Sequence, residues 1–245
     1  MRKAASRIDR FDLQPGQSFG GKYTIRAFLG GGVEGEVYEV LETRTKIRRA
    51  AKLFYPKHNE RDRAARAYAR KLDKLRHCPL VIQYHNAETL LFEGAEVTCL
   101  VSDFVDGMLL ARYIDKHRGK RLHPFEAAHI FYTIIRGLEQ IHAAGEYHGD
   151  LHDENVLIKP SGVFFDIKIL DFFHWGNSAR THQRHDIVDA VRILYCMLGG
   201  QSHYGKAPQG LKAICLGMQR SRILKQFPTA GRLRQYLESS PDLFA

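Results

Sequence analysis

Residues 148–158 read His-Gly-Asp-Leu-His-Asp-Glu-Asn-Val-Leu-Ile. Asp150 and Asn155 stand five residues apart, immediately before an apolar run that suits a β-strand. This stretch constrains the fold because it asks for a loop that runs into a strand while presenting a carboxylate and an amide oxygen together. A carboxylate can orient a hydroxyl nucleophile, and an amide oxygen suits a hard cation. Alone, an H-x-D-x-x-x-x-N match is weak, since so few fixed residues arise by chance in many chains. Its weight comes from what precedes and follows it.

Upstream, Leu29 to Val40 reads Leu-Gly-Gly-Gly-Val-Glu-Gly-Glu-Val-Tyr-Glu-Val, so Gly30, Gly32, Gly35 and Val37 satisfy G-x-G-x-x-G-x-V between two strand-like segments. Glycine suits such a turn because it reaches positive φ without strain and lets backbone N–H groups approach phosphate oxygens. Ala50-Ala51-Lys52-Leu53-Phe54 then places a lysine in a third strand-like run. Downstream, Ile167 to Leu170 is strand-like and leads into Asp171-Phe172-Phe173, which adds a second carboxylate.

Glycine loop, lysine, Asp150, Asn155 and Asp171 follow one another in the order of the protein kinase-like family, which the chain resembles from about Tyr23 to its end. The resemblance implies an α+β, two-lobed protein kinase-like fold, with a small five-stranded antiparallel lobe plus one helix and a larger, mainly helical lobe. Residues 1–22 would be a loose polar lead-in, with docking of Phe11-Asp12-Leu13 on the small lobe as the alternative, and 23–245 a single domain, divided into a small lobe (23–105) and a large lobe (106–245). It also implies transfer of the γ-phosphoryl of ATP to a hydroxyl with Mg²⁺, Asp150 handling the acceptor proton and Asn155 and Asp171 holding metal. Lys52 would sit beside the α- and β-phosphates, and His152 would contact phosphate or brace the loop. Leu100 to Val105 resembles a kinase hinge, so the backbones of Asp103 and Val105 would read the purine edge, with Val37 and Ala50 above the ring. Asp186 resembles the aspartate that supports the catalytic loop, a helix N-cap being its alternative role.

Three departures qualify the resemblance. No clear glutamate occupies the helix position that pairs with the lysine of the third strand; Tyr68 falls there, with Glu60 and Asp62 about two turns earlier. The glycine of Asp-Phe-Gly is replaced by Phe173, and only fifteen residues separate Asp171 from Asp186, which cuts the activation segment short. A protein Ser/Thr acceptor is the leading expectation. His148-Gly149-Asp150-Leu151-His152 is similar to kinases of sugars and antibiotics, so a small-molecule acceptor is the alternative, and a nucleotide-binding pseudokinase scaffold is a third.

The formal charge of +10 favours an acidic protein partner and counts against a polycationic antibiotic. Nucleic acid is not expected as a partner. The basic N-terminus lacks the apolar core of a signal peptide and no run approaches a membrane span, so a cytoplasmic protein is expected, with export into another cell left open. Cys78, Cys99, Cys196 and Cys215 are scattered, without metal or disulfide spacing.

Periodicity places strands over 23–29, 36–41, 46–54, 80–92 and 96–104. An Arg/Ala-rich helix should follow Asn59 as its cap, its cations forming either a solvated face or a dock for an acidic partner. Further helices are expected over 109–116, 124–144, 186–198, 210–220 and 229–238.

Overall fold

Alternation along residues 23–42 predicts a half-buried hairpin, and the computed structural model of the chain, which describes residues 8–162, 164–173, 175–176, 178–240 and 243, contains it. Two units form the chain, one of Met1–Arg76 with Ile82–Val105, the other of His77–Val81 with Asp106–Ala245.

The first unit contains β1 (Ser18–Phe19), β2 (Tyr23–Gly31), β3 (Gly35–Glu42), β4 (Arg48–Phe54), α1 (Arg63–Lys74), β5 (Tyr84–Phe92) and β6 (Ala95–Asp103). Its antiparallel sheet runs β1-β2-β3-β4-β6-β5. The sheet thus has six strands where the sequence predicts five. The extra strand belongs to the expected loose lead-in, whose described part is built into the unit. Ile8, Phe11 and Phe19 are buried against Tyr23, Ile25, Tyr38, Val40, Ala51, Leu53 and Val101. Phe11 stacks on Tyr55 with ring centroids 5.2 Å apart, and its N–H donates to the Glu36 carboxylate at 3.2 Å. The polar composition of 1–22 hides three apolar anchors spaced too irregularly to register as an element.

Because strand side chains alternate, Ala51 and Leu53 face that core while Ala50 and Lys52 point to the other face of the sheet. Two short 3₁₀ turns precede α1, and Asp62, in a left-handed conformation at φ 58°, is its formal cap. The Asn59 side chain nevertheless accepts from Ala65 N–H at 3.1 Å, as a cap would. α1 buries Ala65, Tyr68, Lys71 and Leu72, so Lys71 is not part of a solvated basic face.

The second unit contains β7 (Met108–Leu109), α2 (Leu110–Lys116), α3 (Pro124–Ala143), β8 (Val156–Ser161), β9 (Phe164–Ile169), α4 (Ala179–Met197), α5 (Gly200–His203), α6 (Gln209–Cys215), α7 (Arg220–Gln226) and α8 (Ala230–Ser239). Strands β7, β8 and β9 form a small antiparallel sheet. The stripe Ala127, Ile130, Phe131, Ile134, Leu138 and Ile141 of α3 is fully buried, as its spacing predicts.

The helix expected over 210–220 ends at Cys215, where Leu216 turns left-handed, and the separate α7 follows. Two further boundaries differ from expectation. Strand β5 starts at Tyr84, not Leu80, because Leu80 and Val81 belong to the second unit: the Leu80 carbonyl accepts from Ile169 N–H at 2.7 Å, and the Leu80 side chain fills the space where Gly137 lacks a Cβ. Helix α4 starts seven residues before Asp186. Its first two turns are polar, and Gln183 there donates to the His142 and Glu146 carbonyls, so no apolar period announces them. All four cysteines are free thiols. No helix among the described residues is long and apolar enough to cross a membrane.

Candidate active site

On the first unit, the glycine segment closes the β2–β3 hairpin: Gly30 lies opposite Val37, and Gly32 N–H donates to Gly35 O at 2.9 Å. None of Gly30, Gly32 and Gly35 has a positive φ, so the turn does not use glycine for the reason first expected. Gly35 is needed sterically, since an added Cβ would lie 1.8 Å from the Leu53 carbonyl oxygen across the sheet. A Cβ at Gly30 or Gly32 would meet nothing within 4 Å, so the fold itself does not demand glycine there.

Lys52 stands on β4 opposite Val37 on one side and Leu100 on the other, and Ala50 stands opposite Ser102. These side chains share one face of the sheet. Of the three partners considered for Lys52 from the sequence, Tyr68 is the one beside it, with the ammonium 4.7 Å from the ring centroid. Asp62 instead accepts from the Thr98 hydroxyl and pairs with Arg66. Sequence reasoning missed Glu34, whose carboxylate lies 3.3 Å from Lys52 Nζ. It sits inside the glycine turn, and the hairpin register alone brings it there. Asp103 ends β6, its N–H bonded to Gln83 O at 3.0 Å and its carboxylate to His85 at 2.7 Å and Arg49 at 3.3 Å, with Val105 two residues on.

On the second unit, Asp186 organises the loop. It has no exposed surface and accepts from His148 N–H at 2.8 Å, Gly149 N–H at 2.9 Å and His142 Nε2 at 3.0 Å. Asp186 lies inside α4, which removes its alternative role as the helix cap. His148 is equally buried. Its Nδ1 accepts from Asp150 N–H at 3.2 Å, so its other ring nitrogen carries the proton given to Leu170 O at 2.7 Å. The next imidazole along α4, His185, is held below its ordinary pKa by burial first and by the Arg220 guanidinium second, so it is mostly uncharged at neutral pH.

The loop so fixed leaves the Asp150 carboxylate 62% exposed, with His152 Nε2 3.8 Å away. Asn155 Nδ2 lies 2.9 Å from both the Asp150 carbonyl and His152 Nε2. The bond to the Asp150 carbonyl engages one amide hydrogen, while His152, whose Nδ1 accepts from Glu154 N–H at 3.3 Å, packs against the amide nitrogen. The amide's Oδ1 is the acceptor suited to a cation. Leu170 N–H donates to Asn155 O at 2.8 Å and ties the residue before Asp171 to the same loop. Asp171 adopts a left-handed conformation at φ 53°, uncommon for a residue with a side chain and a recurrent feature of functional sites. Phe172 is buried against the His148 ring, and Phe173 N–H donates to His148 O at 2.9 Å. An aspartate and an amide oxygen are hard donors of the kind a small divalent cation takes.

The sequence of residues 23–207 matches the protein kinase domain, and the chain belongs to that family. It is 28% identical over 166 residues to a probable serine/threonine-protein kinase of Streptomyces coelicolor, covering 65% of this chain and 23% of that protein. It is 33% identical over 156 residues to the human serine/threonine-protein kinase STK11, covering 62% of this chain and 34% of that protein. The chain therefore spans less than half the length of either relative. Among solved structures, a double mutant of the PknI kinase domain of Mycobacterium tuberculosis is similar with a TM-score of 0.67 and 17% identity, over 96% of this chain and all of that one. At that identity the likeness concerns the fold alone.

Proposed function

We propose that the protein transfers the γ-phosphoryl group of ATP to a Ser or Thr hydroxyl of a protein substrate, with Mg²⁺ as the divalent cation. The observation that carries this reading is the loop from His148 to Asn155, clamped by buried Asp186, with the Asp150 carboxylate exposed and the Asn155 amide bonded to the Asp150 carbonyl. Asp150 orients the acceptor hydroxyl and takes its proton as the new bond forms. Asn155 and Asp171 are the residues that would hold the cation, which when bound neutralises charge on the phosphate oxygens. Lys52 would supply positive charge to nucleotide phosphate oxygens. Gly30 and Gly32, which the fold does not require, suit close approach of phosphate to the hairpin backbone. Val37, Ala50 and the backbones of Asp103 and Val105 would take the adenine. The names of the relatives support the Ser/Thr acceptor. The net charge supports acidic sequence around that acceptor.

A small-molecule acceptor is the second reading, favoured by one observation: only residues 172–178 lie between Asp171 and the start of α4, which leaves little chain to form a peptide platform. Incubation with labelled ATP and Mg²⁺, alone, with a lysate, and with a panel of sugars and antibiotics separates the readings. Label on protein, lost in Asp150→Ala, is expected. Label on a small molecule alone would move the assignment to the second reading, and ATP binding without turnover would leave a scaffold.

A further inference from the structure

The environment of Lys52 differs from what the resemblance implies. Its side chain is 14% exposed, and its ammonium lies 4.7 Å from the centroid of Tyr68, 5.4 Å from that of Phe54, and 3.3 Å from a Glu34 carboxylate oxygen. Tyr68 is itself 8% exposed and is fixed edge-to-face against Phe54 at 6.4 Å. Helix α1 presents this ring where the resemblance expects a glutamate. Its own acid, Asp73, pairs with Arg76 at 3.0 Å, and Asp62 at its start is taken by Thr98 and Arg66. A cation within about 6 Å of an aromatic centroid is attracted by the ring quadrupole, and more strongly where water is partly excluded.

We propose that Tyr68 is a positioning residue for Lys52, its ring face holding the ammonium on the helix side in place of a carboxylate. The inference rests on the phosphotransfer reading, in which Lys52 meets nucleotide phosphate. A ring face has a particular advantage here. It restrains the ammonium without neutralising it, so the ring does not compete with an incoming anion as a carboxylate such as Glu34 would. The ring also needs no hydrogen-bond donor from the lysine, so the N–H groups of the ammonium can turn to phosphate oxygens.

The test is acylation of Lys52 by an acyl-phosphate analogue of ATP, which reacts with the neutral amine, followed across pH in the full chain. The ring favours the charged ammonium, so its loss should lower the labelling midpoint. In Tyr68→Leu the midpoint should fall by about half a pH unit, and kcat/KM for ATP should drop on the order of tenfold. Tyr68→Phe, which keeps the ring, should match the unaltered protein in both. Should Tyr68→Leu fail to fold, replacing Tyr68 by phenylalanine and then by its increasingly fluorinated forms keeps the shape while draining charge from the ring face. A graded fall of the midpoint along that series supports the inference. Equal midpoints in Tyr68→Leu and Tyr68→Phe, or a flat fluorination series, would overturn it and leave the phosphotransfer reading standing. No nucleotide-dependent labelling of Lys52 in the unaltered protein would remove that reading, and this inference with it.

Discussion

Asp186 is the residue on which most of the geometry of the proposed catalytic loop depends, because one buried carboxylate serves two consecutive backbone N–H groups and an imidazole. Hydrogen bonds to a charged acceptor are worth about 1.5–3 kcal/mol each, and a buried orphaned donor costs about 1–3 kcal/mol. Asp186→Asn keeps the shape but offers a single acceptor oxygen, so it should lower stability by about 2 kcal/mol or more in urea unfolding and reduce turnover at least tenfold. Unchanged turnover would show that the loop holds itself. Glu34 leads to an opposite expectation. Its carboxylate pairs with the ammonium that phosphate is proposed to meet, so Glu34→Gln should tighten ATP binding severalfold in a fluorescent-analogue titration. Weaker binding would mean that Glu34 positions Lys52 for nucleotide and does not compete with it. At this scale the order Gly30, Lys52, Asp150, Asn155, Asp171 was readable from residue type and spacing. The helix pattern also put Tyr68 at the position that faces Lys52, whereas Glu34 was not readable, because its place beside Lys52 depends on hairpin register, which no local spacing encodes.

Among the elements, the described part of the N-terminal segment contributes more than its composition suggests. Phe11 is 3% exposed, and buried Phe-to-Ala replacements cost about 3–5 kcal/mol, so Phe11→Ala should lower the melting temperature by several degrees or more. Glu36 beneath it accepts from Phe11 N–H and from the hydroxyls of Tyr38 and Tyr55, the last at 2.8 Å. Burial first, and the bond to Glu36 second, push the Tyr55 phenol up to about 12 and the Tyr38 phenol up as well. The sign follows directly. Unfolded phenols lose their protons near 10 while the folded ones keep theirs, so this stabilisation is complete below pH 10 and declines as pH rises toward the folded values. Urea midpoints measured from pH 8 to 11 should fall above pH 10, and less steeply in Tyr55→Phe; parallel curves would contradict the assignment. Strongly periodic elements such as α3 were legible from sequence. Strand β1 and the first turns of α4 were not, since a two-residue strand has no period and a polar helix start is held by Gln183 and by the stacking of His182 on Tyr147.

For the whole molecule, the open question is whether the proposed activity needs a prior phosphorylation. Kinases that need it usually carry an arginine before the catalytic aspartate to receive the phosphate; this chain has Gly149, in a strained conformation for any side chain and with tight surroundings. Gly149 has φ +89°, and an added Cβ would lie 3.0 Å from the Tyr147 ring, 3.1 Å from Phe173 O and 3.2 Å from the Trp175 indole. In place of an arginine–phosphate pair, Trp175 Nε1 donates to Gly149 O and Trp175 N–H donates to the Tyr147 hydroxyl, both at 2.9 Å. With Phe173 N–H on His148 O, these bonds tie Phe173 and Trp175 to the proposed catalytic loop through backbone groups and unmodified side chains. Ordering by a new phosphate, the usual device for such segments, is therefore not needed to hold Phe173 and Trp175. The protein made in a host without kinases, or treated with phosphatase, should therefore have full activity, as should the Ser178→Ala, Thr181→Ala double variant. Trp175→Phe, which keeps the ring but loses the indole N–H, should lower turnover severalfold whatever the phosphorylation state. An enzyme silenced by phosphatase and restored by rephosphorylation would show that the Trp175 bonds do not suffice to hold the segment.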